Sequence, residues 1–209
     1  MFLLIDKPSW YTSYDLIHKI KKLFPKKTKI WHAGTLDPMA TGLMLIAIGR
    51  DTKKLSQFVW LNKSYIATID FSKKSDTRDM DYRACFEQLE LDALTAPSLE
   101  SITTLLDTKL GTSQRPLTPF SAKKVRWKKL YEYARAGEPI YIDIDMELLS
   151  YEIISYEFPT LQVRISVWSG TYIRSIAHWI WEQLGMGGIL TALHRESIWS
   201  HSLPTARIS

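Results

Sequence analysis

The stretch HAGTLDPMATGLMLIAIG, residues 32–49, sets a glycine-bracketed turn directly against an uninterrupted apolar run. Its first half holds one carboxylate, Asp37, between Leu36 and Pro38, with Gly34 and Gly42 on either side. Asp-Pro beside glycine is turn chemistry, because aspartate bonds the backbone of its own turn and proline presets φ. The second half, LMLIAIG, lacks polar alternation and reads as a buried strand. A turn that carries a lone acid and hangs from a core strand is the feature around which the rest of the chain is read.

Upstream, FLLID (residues 2–6) reads as a short strand, and Thr12 or Ser13 caps a helix running to about Leu23, with Leu16, Ile17 and Ile20 on one face. Phe24-Pro25 stops it. Downstream, Asp51 or Thr52 caps a second helix through about Val59, and KSYIATIDF (63–71) alternates as a half-buried strand. Ser72 to Arg83 is polar and aperiodic, hence a loop. Ser98 caps a helix ending near Leu110, with Gly111 as its stop, and residues 128–136 read as helical, closed by Gly137 and Pro139. ELLSYEIISYEF (147–158) and LQVRISVW (161–168) are strands, Gly170 to Leu184 is a helix ended by Gly185, and ILTALHRESIW (189–199) is the last strand. Strand-rich blocks mixed with a few helices predict an α+β fold with a largely antiparallel sheet. At 209 residues the chain fits one domain with a sizeable core.

Composition narrows the class. MFLLIDKPSW has only five apolar residues before Asp6 and Lys7, unlike a secretory signal, and no apolar stretch approaches the ~20 residues of a membrane span. Cys85 is alone, so neither a disulfide framework nor a cysteine zinc site is expected. A cytoplasmic protein is the simplest expectation. The net charge is +5, and six of the eleven residues in KIKKLFPKKTK (19–29) are lysine. A second group, KKVRWKK, holds Lys123, Lys124, Arg126, Lys128 and Lys129. Basic patches with interleaved apolar residues suit a phosphate backbone, although lysines on an exposed helix face also serve solubility alone.

Several motifs fail. Ser121-Ala-Lys-Lys124 lacks the companions of a serine-lysine hydrolase, and no G-x-S-x-G elbow is present. GMGG (185–188) follows a helix and not a strand, so it is no dinucleotide loop. The five histidines have no metal-ligand spacing. Asp76, Asp79 and Asp81 lack calcium-loop spacing and read as a solvated acidic loop. No metal and no organic cofactor is expected.

HAGTLDPMATGLMLIAIGRDTKKLSQF, residues 32–58, resembles the catalytic motif of the TruB-type tRNA pseudouridine-55 synthases. LLIDKPSWYTSYDLIHKIKK looks like that family's opening strand, D-K-P loop and helix, and KSYIATIDF looks like its K-x-Y strand. QRPLTPFSAKKVRWKKLYEYARAGEPI, SGTYIRSIAHWIWEQLG and ILTALHRESIW resemble three further blocks in family order. The resemblance implies a pseudouridine-synthase-like core and an isomerase. Such an enzyme detaches a T-loop uridine of tRNA at N1–C1′, turns the base and rejoins it through C5.

By that resemblance Asp37 is the catalytic carboxylate, acting at C1′ or at C6. Arg174, from GTYIR, pairs with it, since a guanidinium favours the charged carboxylate and fixes its orientation. Tyr65 stacks on the flipped uracil and brings its hydroxyl toward the reacting sugar. Tyr172 packs beside the base or supports Arg174, and Leu193 lines the pocket. His32 occupies the space that the flipped base vacates. Lys7, Lys21, Lys22, Lys26, Lys27 and Lys123 hold phosphates of the T-arm. The implied partner is tRNA, with no membrane, bound by a monomer.

The chain also departs from the family pattern. The match ends near Trp199, so the C-terminal PUA RNA-binding module of many relatives is not expected. SDTRDMDYRA (75–84) resembles a family loop but has Tyr82 where a glycine stands, and HRESIW replaces the usual R-T pair. Two other classes fit parts of the pattern. An N-glycosyl hydrolase also uses an aspartate beside C1′, and an RNA-binding or RNA-folding module needs only the basic surface.

Overall fold

The computed structural model describes residues 1–80, 86–90 and 95–203; Asp81, Tyr82 and Cys85 lie outside them. The chain runs β1 (Phe2–Lys7), α1 (Ser13–Lys21), β2 (Ile30–Ala33), β3 (Thr41–Ile48), α2 (Ser56–Val59), β4 (Lys63–Asp70), β5 (Lys73–Ser75) and β6 (Phe86–Gln88). There follow α3 (Leu99–Asp107), β7 (Gly111–Pro116), β8 (Lys124–Val125), β9 (Lys128–Lys129), α4 (Leu130–Arg135), β10 (Asp143–Glu157), β11 (Thr160–Val167), α5 (Ile173–Leu184), β12 (Ile189–Ile198) and β13 (His201–Ser202).

Among the described residues the main sheet has nine strands in the order β1-β3-β12-β4-β11-β10-β7, with β2 also on β3 and β13 on β12. Its pairs are antiparallel except β3 with β12, which run parallel through Thr41–His194 and Gly42–Arg195. The architecture is the expected α+β fold with a mixed, mostly antiparallel sheet. The apolar run at β3 has a clear cause, because its two faces enter two different cores. Met44, Ile46 and Ile48 join the main cluster with Leu16, Ile17 and Ile20 of α1, Ile102 and Leu106 of α3, and Ile176 and Ile180 of α5. Leu43, Leu45 and Ala47 pack on the opposite face with Ala33, Leu55 and Ile198. From Gly42 to Ile48 every position of that strand is buried, so no polar alternation is needed.

Local signals position α1 well. Thr12 caps it in a capping box, its hydroxyl accepting from the Asp15 amide while Asp15 accepts from the Thr12 amide. Elsewhere the structure corrects the expected boundaries. The helix at 51–59 is a 3-10 segment, Gly49–Lys54, followed by the single turn of α2. That segment buries none of its residues, so no apolar face sustains a longer α-helix. α3 ends at Asp107, and Lys128–Lys129 forms a hairpin strand ahead of α4. β2 and β7 were not expected; each takes its structure from a partner, β2 from β3 and β7 from β10. The Ser72–Arg83 loop contains the short strand β5. No helix of the described residues is long and apolar enough to cross a membrane.

Candidate active site

Asp37 sits on the connection between β2 and β3, and that connection is fastened from three directions. Ser13, the first residue of α1, is buried; its hydroxyl accepts from the Leu36 amide at 3.0 Å and donates to the Leu36 carbonyl at 3.1 Å. The Ala40 amide closes the turn on the Asp37 carbonyl at 3.1 Å, and the Trp10 amide reaches the Pro38 carbonyl at 2.7 Å. From β1, Asp6 accepts from the Gly42 amide at 3.1 Å. Gly42 is required at this point. Its φ is +102°, and a Cβ built there would lie 2.3 Å from the Arg195 carbonyl oxygen, where β12 meets β3.

Lys7 completes the fastening, and this corrects an expectation. It was expected among the phosphate contacts, yet it is fully buried. Its ammonium donates to the carbonyls of Pro8 at 3.0 Å, Tyr11 at 2.6 Å and Pro38 at 3.1 Å. A lysine spent on three carbonyls has no donor left for a phosphate. Burial pulls its pKa down to about 8, with nearby Asp37 opposing that shift. The D-K-P loop is thus the clamp of the Asp37 turn.

Arg174 lies in the first turn of α5 with 5% of its surface exposed. Its Nη2 donates to Asp37 Oδ1 at 3.0 Å and to the Phe120 carbonyl at 3.1 Å. Its Nη1 donates to the Thr77 carbonyl at 3.0 Å and pairs with Asp79 Oδ2 at 3.4 Å. Burial alone would pull this guanidinium down, but Asp37 and Asp79 outweigh it and its pKa is raised. A cation at a helix N-terminus opposes the helix dipole, and the two carboxylates offset that cost. The second oxygen of Asp37, Oδ2, accepts no hydrogen bond from the described residues, and the side chain is 31% exposed.

That carboxylate opens on a cavity of about 330 Å3, which brings together Asp37, Tyr65, Tyr172, Arg174 and Leu193, with Lys123 at its border. Tyr65 stands on β4 and Leu193 on the neighbouring β12, both largely buried. Tyr172 caps α5 and also packs against the small cluster of Leu117, Leu130 and Met146. Burial pushes its phenol upward, with Arg174 opposing and Asp37 adding to the shift. His32 does not line the cavity; it lies on β2 with its ring stacked on Trp31 at 5.4 Å and 11°. Burial and the charge of Arg195 hold its pKa below the ordinary histidine range. Lys21, Lys22, Lys26 and Lys27 are exposed at the end of α1 and in the turn beyond it, away from the cavity.

Three site residues escaped the sequence reading. By its spacing Asp79 reads as part of a solvated acidic loop; it is instead 3% exposed and sits against Arg174. The likeness of SDTRDMD to a family loop was the available signal. Lys63 and Arg195 line the cavity from the sheet side. Lys63 donates to the carbonyls of Val59 at 3.1 Å and Leu61 at 2.6 Å, and burial beside Arg195 lowers its pKa to about 8. Arg195 donates to the Leu43 carbonyl at 2.6 Å and the Gly34 carbonyl at 3.3 Å. Asp37 is the one acid among the described lining residues, against Lys63, Lys123, Arg174 and Arg195. Such a cavity favours an anionic ligand and places one carboxylate inside it.

Comparison with known proteins supplies a family. Residues 21–173 match the model of the TruB family pseudouridylate synthase N-terminal domain. The chain is 38% identical over 210 residues to tRNA pseudouridine synthase B of Chloroherpeton thalassium, covering 98% of this chain and 86% of that one. It is 41% identical over 194 residues to the same-named protein of Chlamydia pneumoniae, covering 92% and 80%. Among solved structures, a Cbf5-Nop10-Gar1 complex matches with a TM-score of 0.69 at 20% identity, over 96% of this chain and 50% of that one. An H/ACA RNP bound to a substrate RNA matches with a TM-score of 0.67, also at 20% identity, over 96% and 49%. At that identity the structural likeness speaks to fold alone.

Proposed function

Because the chain belongs to the TruB family of pseudouridylate synthases, we propose that the cavity beside Asp37 receives the T-loop uridine of tRNA, position 55, and isomerises it to pseudouridine. As a tRNA pseudouridine synthase the protein is an isomerase. It breaks the N1–C1′ bond of the uridine, turns the base and forms a C5–C1′ bond; C5 gives up a proton and N1 gains one, so the RNA keeps its mass.

The observation that carries this reading is the Arg174–Asp37 pair at 3.0 Å, opening on the cavity that Tyr65 also lines. Arg174 holds Oδ1, and the unengaged Oδ2 of Asp37 meets the nucleotide, at C1′ or at C6. Tyr65 stacks on the uracil and brings its hydroxyl toward the reacting sugar. Tyr172 and Leu193 border the base. A base buried in a folded loop must leave its stack first, at a cost of a few kcal/mol. His32 fills the space left behind. Lys123 at the cavity border and the exposed set Lys21, Lys22, Lys26 and Lys27 hold T-arm phosphates, and recognition is mainly of shape. The chain acts as a monomer with one catalytic unit, in the cytoplasm.

The test uses tRNA carrying tritium at C5 of its uridines. Wild-type protein releases tritium without loss of any base, and Asp37→Asn releases none. Base loss in place of tritium release would mean hydrolysis. RNA binding with neither would mean a binding module.

A further inference from the structure

A cavity of about 330 Å3 lies at the small end of ligand pockets, with room for one nucleoside and not for its neighbours along the strand. Where the adjacent base goes is decided at the rim. Trp168 lines the cavity, yet 47% of it remains exposed. Other exposed tryptophans, such as Trp31 and Trp127, do not line the cavity.

The segment that carries Trp168 is fixed on both sides. Its amide donates to the Glu147 carbonyl at 3.0 Å, and its carbonyl accepts from the Thr171 amide at 3.2 Å. The hydroxyl of the next residue, Ser169, donates to the Val59 carbonyl across the rim. Val167, just before it, pairs with Lys63 at the start of β4. The same turn leads into α5 and Arg174, so the indole and the anchor of Asp37 share one rigid support. A flat apolar face held at the mouth of a cationic cavity suits a nucleobase, since every base has a π-face and its phosphates meet the surrounding cations.

We propose that Trp168 is a positioning residue whose indole stacks on the base immediately adjacent to the reacting uridine, holding the strand open while that uridine turns. This rests on the reading of the cavity as a uridine site.

A double-mutant cycle tests it. Tritium release is followed with a T-arm stem-loop, intact or carrying an abasic residue directly 5′ or 3′ of the target, for wild type, Trp168→Ala and Trp168→Phe. Loss of one base–aromatic stack corresponds to roughly a ten- to hundredfold effect. Trp168→Ala is expected to raise KM by that factor with kcat little changed, and Trp168→Phe to restore most of it. One of the two abasic RNAs should penalise wild type by a similar factor and cost Trp168→Ala nothing more. Penalties that multiply independently at both neighbours overturn the proposal, as does a kcat loss at constant KM. No tritium release from the intact stem-loop or from whole tRNA by wild type would instead remove the uridine-site reading itself, and the proposal with it.

Discussion

Arg174 Nη2 and Asp37 Oδ1 meet at 3.0 Å across 137 residues of sequence. Arg174 is held independently by the Thr77 and Phe120 carbonyls and by Asp79. The turn that carries Asp37 is held independently by Ser13, Asp6 and Lys7. The carboxylate is therefore aimed by two rigid supports, and a change in either should appear as lost catalysis before lost binding.

Arg174→Lys keeps the charge but loses the fork that reaches two carboxylates and two carbonyls. A misplacement of about 1 Å can cost on the order of a hundredfold in rate. We expect kcat for tritium release to fall by at least that factor, with KM for tRNA within a few-fold of wild type. Steady-state kinetics decide; an unchanged kcat would mean that Asp37 needs no such anchor.

Asp79→Asn tests the far side of the same arginine. It preserves shape and removes one of the two charges that hold Arg174. The expected result is a drop of about tenfold in kcat, roughly the effect of 1.4 kcal/mol, at unchanged KM. If single-turnover rates with saturating tRNA match wild type, the Asp79 contact plays no part in positioning.

How much of this was legible in the sequence depended on whether a residue's neighbours in space were also its neighbours in the chain. The α1 cap and the buried run of β3 are local features, and both were read correctly. β2 and β7 are short and owe their structure to partner strands, β3 and β10, so no periodicity of their own announces them. Lys7 and Asp79 misled for a common reason. A charged residue in a polar stretch reads as solvated, and only the tertiary fold shows that Lys7 is spent on carbonyls and Asp79 on Arg174. The cations Lys63 and Arg195 reach the cavity from adjacent strands, a convergence that exists only once the sheet is assembled.

Gly42→Ala probes the β3–β12 junction. The added methyl would meet Arg195 backbone at 2.3 Å, in a conformation with φ of +102°. Backbone cannot swing aside as a flexible side chain can, so a loss of about 3 kcal/mol or more is expected, above the 1–3 kcal/mol of φ strain alone. Urea unfolding measures it; a midpoint within error of wild type would refute the packing described for this turn.

Lys7 gives a pH signature. Its folded pKa of about 8 lies below the ordinary lysine value of 10.5, so between these values the unfolded chain binds more protons. Stability from this group therefore rises with pH through that window, and below about pH 8 the folded state bears the cost of a buried charge. From pH 7.5 to 9.5, wild type should gain about 2 kcal/mol relative to Lys7→Met. Denaturant titrations of both proteins at the two pH values test this, and parallel pH dependences would contradict it.

The exposed lysines make a separate claim on affinity. Replacing Lys21, Lys22, Lys26 and Lys27 together by glutamine should weaken tRNA binding and flatten its dependence on log salt. Each lost phosphate contact lowers the slope by about 0.7–0.9. An unchanged slope in filter-binding titrations would show that this cluster serves solubility only.

The central questions are which uridine is changed and which carboxylate changes it. Unmodified tRNA incubated with wild type or Asp37→Asn, treated with carbodiimide and copied by primer extension, gives that answer at single-nucleotide resolution. We predict a stop at the T-loop uridine with wild type and none with Asp37→Asn. A stop elsewhere, or one that persists in the variant, would contradict the assignment of Asp37 to the T-loop uridine.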